Sequence, residues 1–532
     1  MKSATLMGWS LALGLSAMSA RAQATNQVEQ LQQRLNQLQE NFERQQSEQL
    51  RQIESLRQEI QTLQSPSASA AAPPRTTVSE TIAAAPGTNN PAASSSTAGP
   101  KPEAVLQPKG WSPADPIRLG SATAYLDLGA SITVAAGGAT TDEIEHNLEL
   151  GHHDPGQRGF TLQGVELSLS GAVDPYFRGN INLSYGITPE GESGFEFEEG
   201  WIETVSLPAN LQVRAGQGYT AFGRQNSQHL HTWSFVDTPL VNGRFLGPDA
   251  LRNPGAWVSW LMPVPVYSQL MFGLQNSQGE TAASFRGGAD ALSSETVAGV
   301  PFAYRPTDND RGVTHFQDML MSARYEVSTD LTDAQTLLLG FSGAFGPNSR
   351  GGANGGDTRT TIGGTDLTWK WTSPRQHGGF PFVAWQTEAM VRSYQAGSYD
   401  WATAAPGEPL MTEIATGQPA YLPLERLTDY GLYSQVRYGF RKGWVAGLRY
   451  DWVAGQVADY EKIGLLYDEQ EFYRDPARAP RWRLSPNMTW YPTEFSKLRL
   501  QFNYDHRDAW PDAYSVWLQL EVSLGAHAAH KF

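Results

Sequence analysis

The chain contains no cysteine. That excludes disulfides, thiolate zinc sites and iron–sulfur clusters, and it suits a protein that crosses an oxidising compartment unfolded. Charge is also scarce. Charged residues are 17% of the 532, against about a quarter in soluble domains, and only eight are lysines. No run beyond the first residues is apolar for the roughly 20 positions that a membrane helix needs. HExxH, a nucleophile elbow, a Walker loop and a dinucleotide fingerprint are all missing, so neither catalysis nor a cofactor is expected. Residues 111–532 hold 30 basic and 46 acidic side chains, a repulsive surface for nucleic acid. What is plentiful is glycine (52) and aromatics (16 Trp, 20 Tyr, 21 Phe). This balance points to a membrane β-protein, although a secreted β-sandwich shares it.

The N-terminal quarter divides into three stretches. Lys2, the apolar run Leu6 to Met18 and the small-x-small sites Ala20-Arg21-Ala22 and Ala22-Gln23-Ala24 read as a signal peptide over 1–24. Over 25–64, Val28, Leu31, Leu35, Leu38 and Phe42 fall at 3–4 spacing, as do Ile53, Leu56, Ile60 and Leu63 after a stutter. So narrow a stripe predicts a periplasmic coiled coil of several copies, three being the expectation, over a lone solvated helix. Residues 65–110 are Ala/Pro/Ser/Thr-rich and read as a disordered linker. The barrel is expected over 111–532.

From about 122 onward, segments of alternating apolar and polar residues recur. Sixteen strands are predicted: 122–135, 159–173, 177–187, 194–206, 211–219, 254–262, 266–276, 315–327, 335–345, 359–372, 380–394, 429–440, 444–454, 480–491, 497–506 and 513–524. Val516, Leu518, Leu520, Val522 and Leu524 share one face of the last; Trp517, Gln519 and Glu521 share the other. Period two with one polar face marks a strand wetted on one side. In a sandwich that face looks out to water; in a membrane barrel it looks in to a lumen. Two patterns favour the barrel. Tight connections such as Asp174-Pro175 and Arg441-Lys442-Gly443 take turns with long ones near 138–158, 220–253, 277–314, 395–428 and 456–479. Tyr176, Phe177, Trp257, Tyr267, Trp369, Trp371, Phe440, Trp444, Trp482, Trp490 and Tyr491 fall near strand ends on the apolar face, as interfacial girdles do. Phe532 ends the chain like a barrel-assembly tag, though Gly525 to Lys531 makes a poor strand. The expectation is a sixteen-stranded antiparallel transmembrane β-barrel with outer-membrane lipid as its solvent.

Gly159-Phe160-Thr161-Leu162-Gln163, Glu166-Leu167-Ser168-Leu169 and Val173-Asp174-Pro175-Tyr176-Phe177 resemble the opening hairpin of the phosphate-selective porin O/P superfamily. Leu207 to Gln217 followed by Phe222-Gly223-Arg224 resembles its next hairpin and inward loop. Gln228 to Asp237 is similar to poorly characterised, metal-regulated outer-membrane members. The resemblance implies a sixteen-stranded, usually homotrimeric porin. No lysine stands between Lys109 and Lys370, so phosphate selectivity is not carried over.

Taking the polar face of each strand gives a pore lining of Arg178, Glu196, Glu198, Arg214, Arg324, Lys370, Arg437, Arg449, Arg481, Arg483 and Arg499. Arg392, Glu326, Glu388, Glu521, Asp366 and Asp451 share those faces. Arginines crowd strands twelve to fifteen while Glu196, Glu198 and Glu199 sit on strand four. Charge segregated in this way sets up a transverse field that orients polar solutes; the plainer reading is that the charges pair to fill a wet lumen. The 220–253 connection, with Arg224, His229, His231, Asp237 and Arg244, is a candidate constriction or else an external lid. His146, His152, His153 and Asp154 form a possible metal cluster. Three functions compete: a passive porin for small solutes, a divalent-metal (zinc-type) uptake channel, and a structural envelope tether.

Overall fold

The computed structural model describes residues 117–525 except 121–123, 146, 173, 190, 288–301, 308–311, 351–357, 401–420, 464, 468–469 and 473. The expected signal peptide, coiled coil and linker lie outside the described residues, as do His146 and 526–532.

Why the chain builds strands follows from the pleat. Each alternating segment can satisfy its backbone only through neighbours, and in hydrocarbon every N–H and C=O must be paired. A short hairpin arm, β1 (Ile117–Gly120), precedes sixteen strands: β2 (Tyr125–Ala139), β3 (Gly159–Ala172), β4 (Phe177–Ile187), β5 (Ser193–Thr204), β6 (Leu211–Tyr219), β7 (Arg252–Leu261), β8 (Tyr267–Asn276), β9 (Met319–Thr332), β10 (Gln335–Pro347), β11 (Arg359–His377), β12 (Phe380–Ala396), β13 (Glu425–Arg441), β14 (Trp444–Gly455), β15 (Arg481–Thr493), β16 (Ser496–Arg507) and β17 (Ala513–Gly525). From β2 to β17 each pairs antiparallel with the next. β17 returns to β2, Ser515 opposite Ala139 and Gly525 opposite Gly129, and closes the barrel. β1 covers the rest of that edge, Ile117 opposite Leu128 to Gly120 opposite Tyr125. All sixteen expected strands are present.

Burial follows the pleat. Along β17 the side chains alternate without interruption between buried and exposed: Ser515, Trp517, Gln519, Glu521 and Ser523 turn in, and Val516, Leu518, Leu520 and Val522 turn out. Exposed Ile181, Phe272, Phe341, Val391, Leu448 and Leu500 continue the outer apolar surface around the wall. Charged groups on the same strands are buried: Arg324, Arg392, Arg449 and Arg483 are at most 4% exposed. Apolar outside and charged inside is the arrangement of a transmembrane barrel. Aromatics band its two ends. Toward the long loops, Tyr450, Trp482, Tyr504 and Tyr514 follow one another at ring separations of 5.1–6.2 Å. Toward the tight turns, Trp444 stacks on Trp490 at 5.9 Å.

Three expected girdle residues face the other way. Trp257 is buried opposite inward-facing Arg214. Tyr267 reaches Gln269 and Glu326 with its hydroxyl. Tyr491 shares the face of Thr489 and interacts with Arg437 and Arg499. The Tyr267 and Tyr491 hydroxyls are better placed against polar groups than in lipid, whereas the Trp257 indole N–H is buried without a hydrogen-bond partner among the described residues. The expected alternation of tight and long connections also has two exceptions: on the long-loop side, β4–β5 and β16–β17 are joined by only residues 188–192 and 508–512.

An arginine forced into the outer row should destabilise according to depth. Leu518→Arg, near the middle of β17, should cost about 2–4 kcal/mol and Leu524→Arg, near its end, about 0–1 kcal/mol. Urea unfolding in lipid vesicles measures both, and equal costs would contradict the placement of the bilayer.

Candidate functional site

The 220–251 connection does not sit outside the barrel. It enters the lumen and is held by the wall opposite its root. At its start, Gly223 adopts φ +60°, which lets successive amides point one way: the N–H groups of Arg224 and Gln225 donate to Glu388 on β12 at 2.8 and 2.6 Å. Farther on, Asp237 receives Arg449 (2.9 Å), Gln501 (2.6 Å) and Arg483. Arg499 donates to the carbonyls of Phe235 and Trp233 at 3.0 and 2.9 Å, and Lys497 to that of His231. The loop ends in α1 (Leu240–Leu246), buried throughout. Leu240, Val241, Phe245 and Leu246 pack with Ile362, Met390, Tyr433 and Val453 of the barrel wall. A Cβ at Gly431 on β13 would lie 2.5 Å from Val241, so the helix approaches that strand more closely than any side chain there allows. The 140–158 connection folds in beside it. The Leu148 carbonyl accepts from Arg483 at 2.6 Å and from Arg481, and Glu149 receives Arg483 at 2.5 Å and Trp517 at 3.2 Å.

These anchors account for most of the inward arginines. Arg483 and Arg481 also pair with Asp505 at 2.9 Å, Arg449 with Asp451 at 2.6 Å, and Arg324 with Asp366 at 2.6 Å. Arg178 and Arg214 both pair with Glu203 near the tight turns. Arg499 contacts neutral oxygens of Thr489 and Gln519. Arg224, Lys370 and Arg437 have no carboxylate within ion-pair distance among the described residues. Arg244 donates to the Ala479 carbonyl at 2.9 Å.

The space left open lies along β3 to β9. Toward the tight turns a cavity of about 680 Å³ is lined by Glu199, Trp201, Arg178, Arg214, Arg224, His229, Arg324 and Glu326, among others. Toward the long loops a vestibule of about 370 Å³ is lined by His152, His153, Glu196 and Asp249, among others. Between them stands a wall of imidazoles and carboxylates.

Two bulges build that wall. Opposite β4, Leu183 pairs with Phe197 and Asn182 with Glu199, so Glu198 is an extra residue in β5. Opposite β2, Val134 pairs with Leu162 and Thr133 with Gly164, which leaves Gln163 extra in β3. An extra residue flips the alternation. Glu196, Glu198, Glu199 and Glu203 therefore descend one side of the lumen, although 198 and 199 are adjacent in the chain. Glu198 bridges two histidines: His153 Nε2 at 3.1 Å and His229 Nδ1 at 2.9 Å. The other nitrogen of His229 meets Glu199 at 3.1 Å. His231 Nδ1 lies 2.7 Å from Glu166, which also accepts from Ser131 at 2.8 Å. His153 Nδ1 donates to the Gln163 carbonyl at 2.9 Å. Burial pulls the His153 imidazole down, but the hydrogen bond and charge of Glu198 reverse this and raise it to about 9. His229 is likewise depressed by burial, yet lifted well above its ordinary value by the hydrogen bonds it donates to Glu198 and Glu199.

The two histidine groups of the sequence thus meet in space, joined by glutamates that no loop pattern indicated. Glu166 was legible only as a polar-face residue of β3, and Asp249 gave no signal at all. Asp154 belongs elsewhere: its carboxylate accepts the N–H of Gly151 and of Thr238 at 2.8 and 2.7 Å and ties the two inward loops together. Turns, not a strand, carry His152 and His153, so their adjacency does not force them apart.

No protein-family model matches the chain. It is 30% identical over 402 residues to an uncharacterised protein of Aquifex aeolicus (strain VF5), across 72% of this chain and 73% of that one. Among solved structures it is similar to the outer membrane channel DcaP of Acinetobacter baumannii (12% identity, TM-score 0.47, 76% of this chain and 99% of that one). The anion-selective porin of Comamonas acidovorans gives 9% identity and a TM-score of 0.43 over 75% of this chain and all of that one.

Removing the central loop anchor should free the inward loop. Asp237→Ala leaves Arg449 and Arg483 short of a buried counterion, a change worth about 3–5 kcal/mol. It should lower the urea midpoint and open residues 225–235 to limited proteolysis; unaltered cleavage would contradict an inward, pinned loop.

Proposed function

We propose a passive porin, starting from a chain that belongs to one family with the Aquifex aeolicus protein and crosses a membrane as a closed sixteen-stranded barrel. Its place is the bacterial outer membrane, and its cargo is small polar or charged solutes. The observation that carries this reading is the wet, charged space along β3 to β9, a cavity of about 680 Å³ facing a vestibule of about 370 Å³ inside an apolar exterior. No plug domain is needed: two inward loops narrow the lumen from within. The likeness to the phosphate-selective porin O/P superfamily supports the same class, and with it a homotrimer.

Selectivity on this reading comes from charge held on different walls. The glutamates of β5 line one side. Lys370 and Arg437 stand on β11 and β13, aligned through Ala384 in the strand between. Such a field favours solutes that can exchange ordered water for opposite charges and disfavours apolar ones. The arginines of β15 contribute little to it, because Arg481 and Arg483 are engaged by Asp505, Glu149 and Asp237.

Purified protein in a planar bilayer in KCl should give discrete, long-lived conductance steps. Under a salt gradient, Glu199→Gln should move the reversal potential toward anions by weakening the acidic wall. A barrel that folds and inserts but passes no current would overturn the reading.

A further inference from the structure

Among the described residues, the imidazole–carboxylate wall holds three sets of metal-capable ligands, each with donor atoms within 4.8 Å of one another. The outer set is His152, Glu196 and Asp249. The middle set is His153, Glu196 and Glu198. The inner set is Glu166, Glu198 and His229. Glu196 is common to the first two and Glu198 to the last two, so neighbouring sets share a carboxylate. The outer set lines the vestibule, and His229 of the inner set lines the large cavity beside Glu199.

Each set also carries a buried carboxylate oxygen that has no hydrogen-bond partner among the described residues: Asp249 Oδ1, Glu196 Oε2 and Glu166 Oε1. Such an oxygen is costly unless something binds it. Glu166 is 94% buried, and this oxygen lies 3.8 Å from His229 Nδ1. The imidazoles are oriented as ligands are. His153 donates Nδ1–H to the Gln163 carbonyl and presents Nε2 to the carboxylates. His229 has Glu199 on Nε2 and presents Nδ1. A metal ion at either position would displace the proton on the near nitrogen, and in that neutral form the hydrogen bond on the far nitrogen fixes the tautomer and strengthens the near one as a donor. Nitrogen and oxygen donors without sulfur suit zinc and its divalent neighbours, and the imidazoles select against calcium and magnesium.

We propose that these three sets form a path along which a divalent transition-metal cation of the zinc type passes from vestibule to cavity, exchanging one shared glutamate at each step. Three ligands per position leave room for water, which keeps each position open. Passage needs binding strong enough to admit the ion and weak or repeated enough to release it, and shared ligands mean that the ion is never without a carboxylate between positions. The proposal rests on the porin reading and adds a cargo to it.

The test uses the full-length protein in detergent and in planar bilayers, with zinc chloride as the probe and calcium chloride as its control. Zinc should bind to the purified barrel by calorimetry where calcium does not, and micromolar zinc should interrupt the KCl current with resolvable closures. Glu198→Gln, which removes a ligand from two sets, should weaken both effects about tenfold or more. Should that variant fail to fold, His152→Asn and Asp249→Asn at the vestibule replace it, with the same expected loss. Open steps in KCl that zinc leaves unchanged would overturn the path and leave the porin standing, as would variants that respond to zinc like the unaltered chain. Absence of steps in KCl would sink both.

Discussion

Closure of the hydrogen-bond ladder between β17 and β2 is the constraint on which the rest depends. An unpaired backbone group in hydrocarbon costs several kcal/mol, so the sheet cannot end in lipid. Once it closes, each strand has one face in lipid and one in a lumen, and the pleat decides which residue goes where. The exposed apolar rows, the buried arginines and the aromatic bands are consequences of that single condition. β1 serves the same condition: where β17 stops, at Gly525 opposite Gly129, β1 takes over the edge of β2 from Leu128 to Tyr125.

The lumen is not uniformly wet. On the side of β11 to β14 it is filled by α1 and its apolar partners, and on the side of β15 and β16 by carbonyls and carboxylates of two inward loops held by arginine. Loops at such a depth need partners for their backbone, and the polar face of the barrel supplies them: Arg483 alone meets Asp505, Glu149, Asp237 and the Leu148 carbonyl. The charges read from the sequence as a pore lining are in large part the fastening of the two inward loops. What stays open is the opposite side, where Glu166, Glu198 and Glu199 meet histidines and Glu196 and Glu203 meet arginines.

The sequence made the strands readable, because period two runs through most of the wall and tight turns punctuate it. Strand polarity was readable for the same reason: Arg449, Arg483 and Glu388 face inward as their parity requires. Pairing across the lumen was not, since Asp237 reaches Arg449 over more than two hundred residues and no local pattern encodes that. Nor was the position of Trp257, Tyr267 and Tyr491, whose ring size suits a girdle although they face the interior. The bulges at Gln163 and Glu198 were hidden as well. A doublet such as Glu198-Glu199 breaks strict alternation, but parity alone does not tell whether one residue points to lipid or the strand gains a kink.

Those bulges act as frameshifts of the pleat. Upstream of Glu198 the strand is read in one phase by the vestibule; downstream it is read in the other by the inner cavity. Because Glu198 is the residue in excess, deleting it would restore strict alternation and keep Phe195 and Phe197 toward lipid and Glu196, Glu199 and Glu203 toward the lumen; the extra residue therefore adds a carboxylate to the wall without changing the facing of either half of the strand.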